Sequence, residues 1–169
     1  MKGSMSIATT KTSSGKSNSA LATTFFTAGY EQSEPEEFLR RLQNHGVEMI
    51  VDVRDMPLSR KRGFSKNPLR ALLAEIDIEY LHVKALGAPK EIRDRLHATG
   101  LWWEYVKGYA LVLKKQTAEV DSLIKLAREK RIALLCFERN PADCHRSLVA
   151  REMEQRAKDS PVQVEHIRY

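Results

Sequence analysis

The segment Val47 to Val53 limits the folds open to this chain more than any other stretch, because it is apolar at nearly every position around Met49-Ile50-Val51. A strand with one wet face alternates apolar and polar residues; an unbroken apolar run fits a strand covered on both faces, as in a parallel sheet. Parallel neighbours need long crossover connections, usually helices. The flanking sequence supplies both parts. Thr23 to Ala28 is a short β-branched and aromatic strand ended by Gly29. Ile78 to Val83 and Arg131 to Phe137 are a third and a fourth strand, and Val162 to Ile167 alternates as an edge strand should.

Helices are predicted between them. Ser33 is expected as an N-cap, with Glu36 completing a capping box, then Phe38, Leu39 and Leu42 as the buried stripe and Gly46 past the end. Asn67 and Pro68 are expected to open a second helix, whose Leu69, Leu72, Leu73 and Ile76 fall at i, i+3, i+4 and i+7. Lys84 to Gln116 reads as mostly helical, with Trp103, Val106, Ala110 and Leu113 on one face. It is longer than a crossover needs, and its aromatic stretch Trp102, Trp103, Tyr105 makes it a candidate lid. Thr117 caps a helix burying Val120, Leu123, Ile124 and Ala127, and Asp143 caps one bearing Leu148, Val149 and Met153. The fold class that follows is α/β: a three-layer sandwich around a five-stranded, mostly parallel sheet, with a helical insertion after the third strand. The Rossmann-like strand order 3-2-1-4-5 is the expectation.

Residues 22–169 form the single domain of this reading. Residues 1–21, rich in Ser, Thr, Lys and Ala, are expected to be a flexible tail, or in Met1-Lys2-Gly3-Ser4-Met5 an appended leader. There is no secretory signal, no apolar run of about 18 residues, and no disulfide framework in Cys136 and Cys144. A cytoplasmic protein with no membrane partner is therefore expected. The net charge of +6 is weak support for a polyanion partner, because Lys2, Lys11 and Lys16 supply half of it. Arg54 to Lys66 is the local exception, with Arg54, Arg60, Lys61, Arg62 and Lys66 against Asp55 alone.

Ligands of such folds bind outside the carboxyl ends of the strands, and there the polar residues collect. Tyr30 follows the first strand, Arg54, Ser59 and Arg60 the second. His82 ends the third, and Cys136 and Glu138 end the fourth, before Cys144-His145-Arg146 at a helix start. The helix start suggests an anion site with Arg146 as a forked donor, and a Cys144 thiol lowered enough to act as a nucleophile. The bland alternative is a packing cysteine and a paired arginine. Glu138 is a candidate general base, with Cys144 and His145 as further catalytic candidates. Arg54, Ser59, Arg60 and Arg146 are the expected anion binders; Tyr30, His82 and Cys136 complete the pocket. Phe64 in the basic loop could stack a base. No metal or cofactor is expected. Cys136, Cys144 and His145 could ligate zinc with His82 or Glu138 as a fourth, but no paired CxxC or HxxxH spacing supports it and adjacent ligands strain the geometry.

The order Ala28-Gly29-Tyr30, Val51-Asp52-Val53-Arg54 with Pro57, Ser59-Arg60 and Phe64, Tyr80-Leu81-His82 with Leu86-Gly87, and Leu134-Leu135-Cys136-Phe137-Glu138 with Cys144-His145-Arg146 resembles the family called "domain of unknown function 488". The resemblance covers about residues 23–168. It implies an α/β fold in mostly bacterial and archaeal proteins, and no settled activity; Tyr30 stands where many relatives have histidine. A partial likeness to rhodaneses and related phosphatases rests on a strand ending Asp-Val-Arg and another ending in Cys before a helix with Arg-Ser. Their anion loop closes from Cys to Arg in six steps. From Cys136 to Arg146 there are ten, and position 142 is Ala142, so their phosphate cradle is not expected. That likeness would place the fourth strand at the centre of the sheet. The functional expectation is an enzyme acting on a phosphorylated or other anionic substrate, nucleotides and nucleic acid included. The alternative is a non-catalytic nucleic-acid-binding or regulatory module using the basic 54–66 loop.

Overall fold

A computed structural model describes residues 22–168, so the expected tail lies outside the described residues. Five strands, β1 (Thr23–Gly29), β2 (Met49–Asp52), β3 (Glu79–His82), β4 (Ile132–Cys136) and β5 (Val162–His166), form one parallel sheet in the order β3-β2-β4-β1-β5. Six helices cover it: α1 (Pro35–Asn44), α2 (Lys66–Ala74), α3 (Lys90–Thr99), α4 (Trp102–Lys115), α5 (Thr117–Glu129) and α6 (His145–Arg156). The three-layer α/β sandwich is as expected. The order 3-2-1-4-5 is corrected: β4 lies between β2 and β1, as the rhodanese-like alternative has it. The composition of β4 explains its place. Ile132, Ala133, Leu134, Leu135 and Cys136 are all buried, whereas β1 begins with the half-buried Thr23 and Thr24. A strand with no polar side chain gains most from the position covered on both sides.

Strand alternation sends side chains to two cores. Phe26, Ala28, Ile50, Ala133 and Leu135 meet Phe38 and Leu42 of α1 and Leu69 and Leu73 of α2. Phe25, Met49, Val51, Ile132 and Leu134 meet α4, α5 and α6 on the other face. The inward stripe of α5 is Val120, Leu123, Ile124 and Ala127, as its periodicity predicts. The stripe of α4 is Tyr105, Tyr109 and Leu113; Leu113 is as expected, whereas Trp103 and Ala110 are exposed and Val106 half-buried, which corrects the rest of the expected face. Helix α4 is thus part of the core and not a lid, while α3 buries no side chain fully and packs over α4.

Several helix starts also differ from expectation. Ser33 does not cap α1: Pro35 opens the helix after Glu34, and the buried Ser33 hydroxyl accepts from Arg41 Nη2 at 2.6 Å. Helix α2 begins at Lys66 after the cap position Ser65, two residues ahead of the expected cap Asn67 and first residue Pro68. Helix α5 follows Gln116, with Thr117 its first residue. A 3-10 turn at Pro141–Asp143 takes up the expected cap of α6, so Cys144 is its N-cap. Gly46 does take the left-handed φ of +62° expected past a helix end.

Candidate active site

Register fixes the site. Gly29 lies opposite Cys136, and Asp52 lies opposite both Leu135 and His82, so the carboxyl ends of four strands share one edge. A cavity of about 830 Å³ opens there. Cys136, Glu138 and His145 line it from the sheet side, Tyr30, Arg54, Ser59, Arg60 and Lys61 from the loops after β1 and β2, and Arg93, His97, Trp102 and Tyr105 from α3 and α4.

Asp52 and Arg54 come from the end of the apolar run. Asp52 is fully buried, and its Oδ1 accepts from the backbone N–H and Nε of Arg54 at 3.1 and 2.8 Å. Its Oδ2 accepts from Arg54 Nη2 at 2.5 Å and from Tyr80 Oη at 2.6 Å. Arg54 Nη1 donates to Tyr30 Oη and to the carbonyl of Phe64, at 2.9 and 2.8 Å. Burial works against this guanidinium's charge, but Asp52 beside it holds its pKa above the ordinary value. Burial and the bond to Asp52 likewise keep the Tyr80 phenol protonated. Arg54 therefore borders the cavity with its donors largely taken, and its work is to brace the loop. His82 is turned away as well, with Nε2 2.8 Å from the Arg54 carbonyl; it is not a cavity residue.

The loop after β2 is pinned rather than mobile. Phe64 is buried, stacked on Tyr30 at 4.4 Å and edge-on to Phe38 at 5.4 Å, so it offers no face to a base. Ser59 takes part in the turn itself: its hydroxyl accepts from the Lys61 N–H at 3.1 Å and its N–H donates to Ser65 Oγ at 3.0 Å. Arg60 is left exposed at the cavity mouth, in no ion pair among the described residues. Lys61 reaches Glu34 at 3.3 Å, and Arg93 reaches Asp55 at 3.2 Å.

The loop after β4 crosses directly over β1. A Cβ at Gly29 would sit 1.9 Å from the Glu138 carbonyl oxygen, so only glycine admits this crossing. The N–H groups of Tyr30 and Glu31 donate to the Phe137 carbonyl at 3.1 and 2.8 Å. Arg146, 1% exposed, holds the same loop from behind: Nη1 donates to the Glu138 carbonyl at 2.6 Å and Nη2 to the Arg139 carbonyl at 3.2 Å. Arg146 is thus a loop brace behind the cavity and not part of its lining, which corrects its expected place among the anion binders.

Three chemically distinct groups converge at the floor. Cys136 Sγ donates to Glu138 Oε2 at 3.1 Å and lies 3.6 Å from His145 Nδ1. His145 Nε2 is 2.7 Å from the Val53 carbonyl and must donate to it, which turns Nδ1 toward the sulfurs. Cys144 Sγ is 3.9 Å from the same nitrogen. Cys144 is not an activated thiol: it lies behind the cavity, and burial, with the bond to Cys136, pushes it well above its ordinary pKa. Burial opposes the charge of Glu138, but bonds from Cys144 and Cys136 hold it below the usual carboxylate range. The His145 imidazolium is likewise opposed by burial and on balance favoured by Cys144.

The reading from sequence foresaw the meeting of Cys136, Glu138 and His145. Trp102 and Tyr105, the aromatic residues of the expected lid, also line the cavity, stacked at 4.7 Å, and Arg93 and His97 join the lining without any signal in the sequence. Among the described residues no helix is long and apolar enough to cross a membrane. Neither the curated proteins nor the solved structures yield a match to this chain. The family model "Domain of unknown function DUF488" matches residues 34–153, from the turn before α1 through most of α6. That span contains Arg54, Cys136, Glu138 and His145 together with the loops that hold them, and the chain belongs to this family.

Proposed function

We propose that this protein is an enzyme that binds an anionic substrate carrying a flat or apolar part, nucleotide-like in its chemistry, and acts on it with Glu138 as the acid/base. The cavity carries this reading. Its lining combines cations (Arg60, Lys61, Arg93) with aromatic rings (Trp102, Tyr105, Phe137), and Glu138, Cys136 and His145 are part of the same lining. A site for a polyanion alone would need cations only; a thiol, an imidazole and a carboxylate in contact at the floor are groups for reaction. Arg60 and Lys61 take the anionic group, and the stacked Trp102 and Tyr105 rings take the flat part. The reduced thiols fit a cytoplasmic setting.

The test is a thermal-shift screen of nucleotides and phosphate esters, followed by turnover assays on the hits. Arg60→Ala with Lys61→Ala weakens the hit about tenfold or more. Glu138→Gln keeps binding but lowers turnover by about 10²–10⁴-fold, the usual contribution of a placed acid/base. Unchanged turnover in Glu138→Gln, or binding indifferent to the two cations, overturns this reading. Exposed Arg60, Arg62 and Lys66 also favour a second reading, a nucleic-acid-binding module. It requires affinity that falls steeply with salt and does not depend on Glu138.

A further inference from the structure

We propose that Cys136, Cys144 and His145 form a zinc site whose fourth coordination position opens on the cavity beside Glu138. The three ligand atoms lie within 4.8 Å of one another, and all three residues are buried. A tetrahedral zinc with bonds of about 2.3 Å to sulfur and 2.0–2.1 Å to nitrogen holds those two atoms about 3.6 Å apart. His145 Nδ1 is 3.6 Å from Cys136 Sγ and 3.9 Å from Cys144 Sγ. The imidazole nitrogen is therefore close to ligand spacing from both sulfurs, and the sulfurs lie within 4.8 Å of each other.

The histidine is also oriented as a ligand should be. Its other nitrogen donates to the Val53 carbonyl at 2.7 Å; a ligating imidazole is commonly anchored in this way through its second N–H. Adjacency of Cys144 and His145 is no obstacle. Cys144 is the extended N-cap residue, with φ −136° and ψ 141°, and His145 is the first residue of the helix. The chain bends between them, and both side chains turn to the same point. Two thiols and an imidazole are soft to borderline donors, which select zinc over magnesium or calcium. On binding, the two thiol protons leave as thiolates form.

Cys136, Glu138 and His145 line the cavity, Cys144 does not, and Glu138 Oε2 lies 3.1 Å from Cys136 Sγ. Three protein ligands with a position left for water is the catalytic arrangement of zinc, and it lowers the pKa of that water to about 7. A His/Cys/Cys set with a glutamate that is not a ligand is how zinc activates water against nucleobases. The use of that water rests on the proposed role of Glu138; the binding of zinc does not.

The test uses the full chain under thiol reductant, stripped with a chelator and titrated with Zn(II) against a chromophoric competitor, and separately with Co(II). One equivalent of zinc per chain is expected. The cobalt form is expected to show thiolate-to-cobalt charge transfer with the intense visible bands of a tetrahedral site. Cys136→Ser and His145→Ala each weaken zinc by more than about 100-fold, beyond the cost of losing a mere supporting contact; Arg60→Ala holds it as the parent does. Because a buried cysteine variant may not fold, the cobalt spectrum of the unaltered protein stands as an independent reading. Substoichiometric zinc, a cobalt spectrum without thiolate bands, or full affinity in a folded Cys136→Ser protein overturns the proposal. Stoichiometric zinc with no anionic ligand sinks the substrate reading alone; an anionic ligand without zinc sinks only the metal site.

Discussion

Arg54 and Arg146 both come from motifs at the carboxyl edge of the sheet, yet the donors of both are largely taken up within the fold. Arg54 is taken up by Asp52, Tyr30 and the Phe64 carbonyl, and Arg146 by the carbonyls of Glu138 and Arg139. A sequence shows that an arginine is near a strand end but not which acceptors claim its donors first. Buried acceptors have the stronger claim, because leaving them unpaired costs more than leaving a surface charge in water. The convergence of Cys136, Glu138 and His145 is more legible, since strand alternation and a helix start fix their directions without knowledge of partners. Arg146→Ala removes two charge-assisted bonds to carbonyls and leaves a void, and should lower stability by about 3 kcal/mol. Chemical denaturation measures this directly. An unchanged midpoint would show that Arg146 does not brace the loop.

At the scale of elements, strand existence was legible and strand neighbours were not. The apolar runs of β2 and β4 look alike, and only the difference in burial between β4 and the threonine-led β1 indicates which takes the centre. The order of the basic 54–66 loop is hidden in the sequence for a related reason. Its charge count suggests a solvated, mobile segment, whereas one aromatic residue decides otherwise: Phe64 is buried between Tyr30 and Phe38 and anchors the turn that presents Arg60. Phe64→Ala should cost about 3–5 kcal/mol, as large-to-small changes of a buried phenylalanine do. It should also free the loop before the rest of the domain opens. Limited trypsin digestion should then cut at Arg60, Lys61 or Arg62 sooner than at exposed lysines on α4 or α5. Cleavage in the parental order would mean the loop is held by something other than Phe64.

For the molecule as a whole, stability is the property that responds to a charge placed in the wrong layer, and β5 carries such a site at the sheet edge. His166 Nδ1 lies 2.7 Å from Thr27 Oγ1, and the same hydroxyl faces Arg146 Nε at 3.4 Å. With Arg146 donating to that oxygen, the hydroxyl proton is free to go to His166 when its Nδ1 is unprotonated. Partial burial lowers the His166 pKa, Arg146 and Arg168 lower it further, and Glu154 opposes them. A folded-state pKa below the unfolded value of about 6.5 means that the unfolded chain binds more protons in the window beneath it. The stability His166 contributes is therefore complete above about pH 6.5 and is lost as pH falls through the folded value. Denaturation midpoints taken between pH 8 and pH 5 should fall more steeply for the parent than for His166→Gln, whose amide cannot take up a proton. Other groups titrate in both proteins and cancel in the difference. If the two curves run parallel, or the parent holds its midpoint better in acid, His166 is not held neutral by the fold and the reading of the Thr27–Arg146 contact is wrong.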